Sequence, residues 1–226
     1  MPTPAVSEAI PAIRRAPWWL MLPCLCGLVF AQGLEFGQAL FQWMESKYGI
    51  AARERAEDLQ QLITRYSQAQ EQEKLEKVND FFNAVDYASD WAQWDHKDYW
   101  ATPFEVLGVN SADCEDYALS KFFTLISMGV PEEKLRITYV KAVELNEAHM
   151  VLAYYPSPEV EPLILDNLKG SIRPAGDRGD LVPVYSFNGT ALWVAVNRLE
   201  GKRVGGADRL SRWKSFQKKL QEQMGG

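Results

Sequence analysis

From Ala51 to Trp91 the apolar residues recur mostly every third or fourth position, through Leu59, Leu62, Ile63, Tyr66, Leu75, Val78, Phe81, Phe82 and Val85. That is the period of amphipathic helices, and the polar stretch Gln68 to Lys74 predicts a turn or solvated link between two of them. The pattern changes at Asp95 to Asn110, which reads as loop, with aromatics at Tyr99 and Trp100 suited to lining a cleft. From Asp113 to Met128 the helical period returns, with Tyr117, Leu119, Phe122, Phe123 and Ile126 as its stripe and Gly129 and Pro131 as its end. Cys114 falls in the first turn of that helix. Leu135 to Val143, Ala148 to Tyr155 and Pro162 to Leu168 then read as strands, the first two close enough for an antiparallel hairpin. A further strand is expected at Ala191 to Val196 and a terminal amphipathic helix from Asp208 to Met224. Helices first and an antiparallel sheet after them make an α+β fold, with a helical N-terminal lobe over 32–95 and a second lobe over 96–226.

The N-terminus is a different kind of segment. Arg14 and Arg15 precede a 14-residue apolar run, Trp18 to Ala31, which ends in the small-residue spacing Val29-x-Ala31. A spanning helix needs about 18 or more apolar residues, so residues 1–31 read as a cleaved secretory signal peptide, with an uncleaved anchor as the alternative. Cys24 follows Pro23 and Cys26 follows Leu25, so neither sits in a good lipidation site. Cleavage leaves 22 basic and 29 acidic residues, a net charge of −7. An acidic surface argues against a nucleic-acid partner and is compatible with a divalent cation.

Cleavage also leaves Cys114 as the single thiol of an exported protein, either a buried small hydrophobe or a reactive group. A helix N-terminus favours the thiolate through its free N–H groups and dipole. The base must come from two histidines, His96 and His149, and His149, opening a strand, is placed to face the thiol-bearing helix. Asp166, at the end of the apolar run Leu163-Ile164-Leu165, is the candidate to orient the imidazole. Taken alone, each has a plainer reading, as a packed or solvated histidine and a turn aspartate. The order of thiol on a helix, His on a strand and Asp on the next strand matches the papain and transglutaminase core.

Four blocks carry a more specific resemblance: Asp98-Tyr99-Trp100-Ala101-Thr102-Pro103, Asp113-Cys114-Glu115-Asp116-Tyr117-Ala118, Asn146-Glu147-Ala148-His149-Met150-Val151-Leu152 and Val182-Pro183-Val184-Tyr185-Ser186-Phe187-Asn188. In content and order they resemble the LapG family of bacterial transglutaminase-like cysteine proteinases. The resemblance implies a papain/transglutaminase-like core and a calcium-dependent periplasmic endopeptidase that clips the N-terminal region of a large surface adhesin after a dialanine-type site, releasing cells from a biofilm. It carries the roles of nucleophile, base and orienting acid onto Cys114, His149 and Asp166. It also implies a partner, an inner-membrane receptor of the LapD type that senses cyclic di-GMP.

Asp113, Glu115 and Asp116 crowd negative charge around the thiol, which raises its pKa unless a cation offsets them. Calcium, taking six to eight oxygens, suits such a cluster, and the resemblance strengthens Asp113 and Glu115, with Asp116 and Asn146 weaker candidates. The competing reading is that these acids only cap the helix. A zinc site built from Cys114, His149 and Asp166 is a further alternative. So are two other functions: a transglutaminase-type acyl transferase, and a calcium-responsive binding protein with an inert thiol.

Overall fold

The computed structural model describes residues 35–197 and 201–225; the expected signal peptide, with Cys24 and Cys26, lies outside them. Three helices open the described chain: α1 Gln38–Tyr48, α2 Ile50–Tyr66 and α3 Glu71–Asn83. α1 and α2 meet at Gly49, whose φ of 91° favours a residue without a Cβ. The link expected between two helices runs from Ser67 to Gln70. The remainder of the expected helical stretch holds a two-residue strand, β1 Asp86–Tyr87, and the short helix α4 Asp90–Trp94, whose N-cap Ser89 accepts the Ala92 N–H at 3.4 Å.

The segment expected as loop contains a helix, α5 Pro103–Val109. Its start is a capping box: Thr102 accepts the Glu105 N–H, Glu105 reaches back to the Thr102 N–H, and Pro103 fills the first turn, where its missing N–H costs nothing. After β2 Ser111–Ala112, which pairs in parallel with β1, comes α6 Cys114–Ser127. It ends where Gly129 turns the chain at φ 82°.

The seven-stranded sheet comprises β3 Leu135–Ala142, β4 Glu147–Tyr154, β5 Leu163–Leu165, β6 Arg173–Pro174, β7 Leu181–Phe187, β8 Leu192–Ala195 and β9 Gly201–Gly205, in the order β6-β5-β4-β3-β7-β8-β9. Every pairing is antiparallel. β3 and β4 form the expected hairpin, turning through Asn146 at φ 55°. The expected third strand is confined to three residues. β7, absent from the sequence reading, pairs with β3 across an irregularity between Tyr139 and Val140, opposite Tyr185 and Pro183. Pro183 and that bulge break the two-residue alternation by which a strand is recognised.

Alternation in β3 and β4 sorts side chains to two faces. Leu135, Ile137, Met150, Leu152 and Tyr154 join a core that runs from Phe36 to Leu220, while Val140, Ala142, Val151 and Ala153 form a smaller cluster with Ile164 and Leu181. α6 packs on β4 and α3. The last helix, α7 Ser211–Met224, contributes Trp213, Phe216 and Leu220. No helix among the described residues is long and apolar enough to cross a membrane.

Candidate active site

Cys114 is the first residue of α6, partly buried, and the one cysteine among the described residues. β5 pairs with β4 only at Leu152, Ala153 and Tyr154, so the earlier part of β4 is not covered by β5. There the Met150 N–H bonds the Cys114 sulfur. His149, the preceding residue, is buried, with Nε2 2.7 Å from Asp166 Oδ1. Cys114 and His149 line one cleft of about 720 Å3 with Trp91, Tyr139 and Tyr185. His96 is exposed.

Asp166, the residue after β5, is 2% exposed. Its Oδ1 also accepts the Leu168 N–H at 3.1 Å, and its Oδ2 accepts Arg178 Nη2 at 2.6 Å. Burial works to raise its pKa, but the bonds from His149, Arg178 and Leu168 outweigh burial and hold the carboxyl below its ordinary range. A charged carboxylate only accepts, so the ring proton of neutral His149 sits on Nε2, leaving Nδ1 as the acceptor.

The acids on the other side of the thiol are not balanced in this way. Asp90, Asp113 and Glu115 each bring a carboxylate oxygen within 4.8 Å of the others. Asp113 is the N-cap of α6 yet makes no side-chain capping bond, so capping does not account for its carboxylate. Asp90 Oδ2 accepts the Tyr99 N–H at 2.5 Å, but Asp90 Oδ1 and Asp113 Oδ1 are buried without a hydrogen-bond partner among the described residues. Burial, opposed by the Tyr99 N–H, pushes Asp90 up to about 6. Burial and then the charges of Asp116 and Glu115 raise Asp113 far above the carboxylate range. The Cys114 thiol is also pushed up, by burial first and then by Glu115, whose Oε2 accepts the S–H at 3.0 Å. An all-oxygen group with two orphaned acceptors fits a hard cation such as calcium. The group of possible metal ligands found among the described residues contains neither Cys114 nor His149, and His149 Nε2 is already engaged by Asp166.

The expected ligand Asp116 is not in this group. It lies about 100° around the helix from Glu115 and is turned inward, accepting the Ala101 N–H at 2.6 Å and the Asp113 N–H. Asp90, 23 residues before Asp113, stands there instead; no local spacing signals it. Asn146 lies in the turn of the β3–β4 hairpin.

A family model for the bacterial transglutaminase-like cysteine proteinases (BTLCP) matches residues 42–199. The chain belongs to this family. Among solved structures it is similar to Legionella pneumophila LapG, at 40% identity over 83% of this chain and 99% of that one, with a TM-score of 0.73 for the EGTA-treated protein. The calcium-bound Legionella pneumophila LapG gives 41% identity over 80% and 97%, with a TM-score of 0.70. No match was found among curated proteins. These similarities confirm the transglutaminase-like α+β fold and LapG-family membership anticipated from the sequence blocks, and they make this member of the BTLCP family a cysteine proteinase.

Proposed function

We propose that this proteinase is a calcium-dependent endopeptidase of the periplasm that cleaves the N-terminal region of a large surface adhesin at a dialanine-type site, releasing it and promoting biofilm dispersal. The observation that carries the catalytic part is the His149–Asp166 bond beside a thiol at a helix start, with thiol and imidazole in one cleft. In this reading the Cys114 sulfur attacks the scissile carbonyl and its proton passes to His149 Nδ1. The Cys114 backbone N–H supports the oxyanion, and His149 protonates the leaving amine, forming a thioester. Water, deprotonated by His149, then releases the acid and restores the thiol. Asp166 stays ionised, keeping the ring oriented and stabilising it when charged.

Asp90, Asp113 and Glu115 are the residues that would hold calcium; their orphaned oxygens and the calcium-bound relative support this. When bound, calcium supplies positive charge against three acids that otherwise oppose a thiolate beside them. Export rests on the N-terminal segment, and the adhesin substrate and restraint by a LapD-type cyclic di-GMP receptor rest on family membership. The test is incubation of the purified protein with the N-terminal segment of the organism's own large adhesin. Cleavage should require Cys114 and His149, and normal cleavage by Cys114→Ala would sink the reading.

A further inference from the structure

The geometry points to Arg178 as the positioning residue of the catalytic set: a buried cation that fixes the orientation and charge of the Asp166 carboxylate and, through it, the imidazole of His149. This rests on the reading of Cys114, His149 and Asp166 given above.

Arg178 is 1% exposed, and a lone arginine in such a place is costly unless its charge is met. It is met twice. Nη2 donates to Asp166 Oδ2 at 2.6 Å and to Asp180 Oδ2 at 2.9 Å, while Nε donates to Asp180 Oδ1 at 3.0 Å. Asp180 thus grips one edge of the planar guanidinium and sets the angle at which Nη2 meets Asp166. Nη1 is buried with no hydrogen-bond partner among the described residues. The guanidinium therefore lies where the two aspartates place it, at the expense of one of its own donors.

The backbone at Asp166 does not depend on this arginine. Asn83, the last residue of α3, donates to the Asp166 carbonyl at 2.9 Å and itself accepts from the buried Lys121 at 2.7 Å. Asn79 holds the Gly170 carbonyl at 2.7 Å and also accepts from Lys121. The loop is moored by α3 and α6, so what Arg178 adds is at the carboxylate. With Oδ2 tied to a cation, Oδ1 is presented to His149 Nε2 as a charged acceptor. Without that tie, a carboxylate buried on all sides faces desolvation with only the Leu168 N–H and the imidazole as donors. The titratable and charged groups around it are His149 from β4, Lys121 from α6 and Arg178; Asp180 and its partner Lys169, 3.0 Å apart, stand behind Arg178.

The chain contains two histidines, so the full protein labelled with 15N-histidine reports their rings directly, with His96→Ala assigning the signals. In the wild type the His149 proton should reside on Nε2. Arg178→Gln should spread it over both ring nitrogens, with a loss in turnover of about 10- to 100-fold and little change in KM. Arg178→Lys should restore most of the wild-type ring pattern. Asp180→Asn, which frees the guanidinium without touching Asp166, should shift the pattern the same way but less. A folded Arg178→Gln with the wild-type ring pattern, losing only thermal stability, would overturn the proposal. If Arg178→Gln does not fold, an Asp180→Asn spectrum identical to wild type overturns it equally. Failure of the peptidase reading would appear separately, as absence of cleavage by the wild type.

Discussion

The two sides of Cys114 are built on opposite principles. On one, His149, Asp166, Arg178, Asp180 and Lys169 form a chain of alternating partners in which both oxygens of Asp166 are engaged. On the other, Asp90, Asp113 and Glu115 face each other, and two of their buried oxygens have no hydrogen-bond partner among the described residues. The first corner is completed by the chain itself and is preorganised as folded. The second leaves carboxylate oxygens unmatched by the chain's own donors, an arrangement that fits an oxygen-seeking ion. On the proposed reading, a thiol between them has its base in place and its charge opposed, which separates what the fold supplies from what calcium would supply.

Removing the self-sufficient side should have the largest effect. Cys114→Ala and His149→Ala should each lower cleavage by at least about 10^4-fold, measured as initial rates on an adhesin N-terminal segment, with the fold retained by circular dichroism.

The incomplete side is broken next by taking its ion away. Saturating calcium should raise the thermal midpoint, by the equivalent of about 2.7 kcal/mol at a hundredfold excess over Kd. Differential scanning calorimetry should show that gain abolished in Asp113→Ala and strongly reduced in Asp90→Asn.

Asp116 sharpens the comparison because it neighbours Glu115 in sequence yet serves the backbone. Asp116→Asn should leave calcium affinity by calorimetric titration within about twofold of wild type. It should cost roughly 1–3 kcal/mol of stability through the weakened Ala101 and Asp113 bonds. A tenfold loss of affinity would place Asp116 among the ligands after all.

The two corners also differ in the sign of their pH dependence. Asp166 has a depressed pKa in the fold, so its stabilisation is present above its unfolded value near 3.9 and fades as pH falls through the folded value. Asp90, raised to about 6 without a cation, holds a proton that the unfolded chain has already lost. It should therefore make the chelated protein less stable as pH rises from about 4 to 6. Urea midpoints across that window should fall with EGTA, and the fall should be relieved by calcium.

Much of this was legible in the sequence, for identifiable reasons. The stripe of α6 placed Cys114 at a helix start, and the β3–β4 hairpin followed from two apolar runs around a short polar link. Thr102, Pro103 and Glu105 spell the cap of α5, but Tyr99-Trp100 and Gly108 carry loop signals that outweigh it in the sequence pattern. β7 was hidden by Pro183 and its bulge. In the site, Asp113 and Glu115 were visible because they flank the thiol, whereas Asp116 is separated from them only by helical geometry. Asp90 and Arg178 reach the site through tertiary structure, and no spacing in one sequence announces them.

The measurement that bears most directly on this contrast is a calcium titration in which ion binding and adhesin-segment cleavage are followed on the same wild-type sample. One curve should describe both, with cleavage negligible in EGTA and not restored by calcium in Asp113→Ala. Full-rate cleavage in EGTA, with calcium bound or not, would contradict the account.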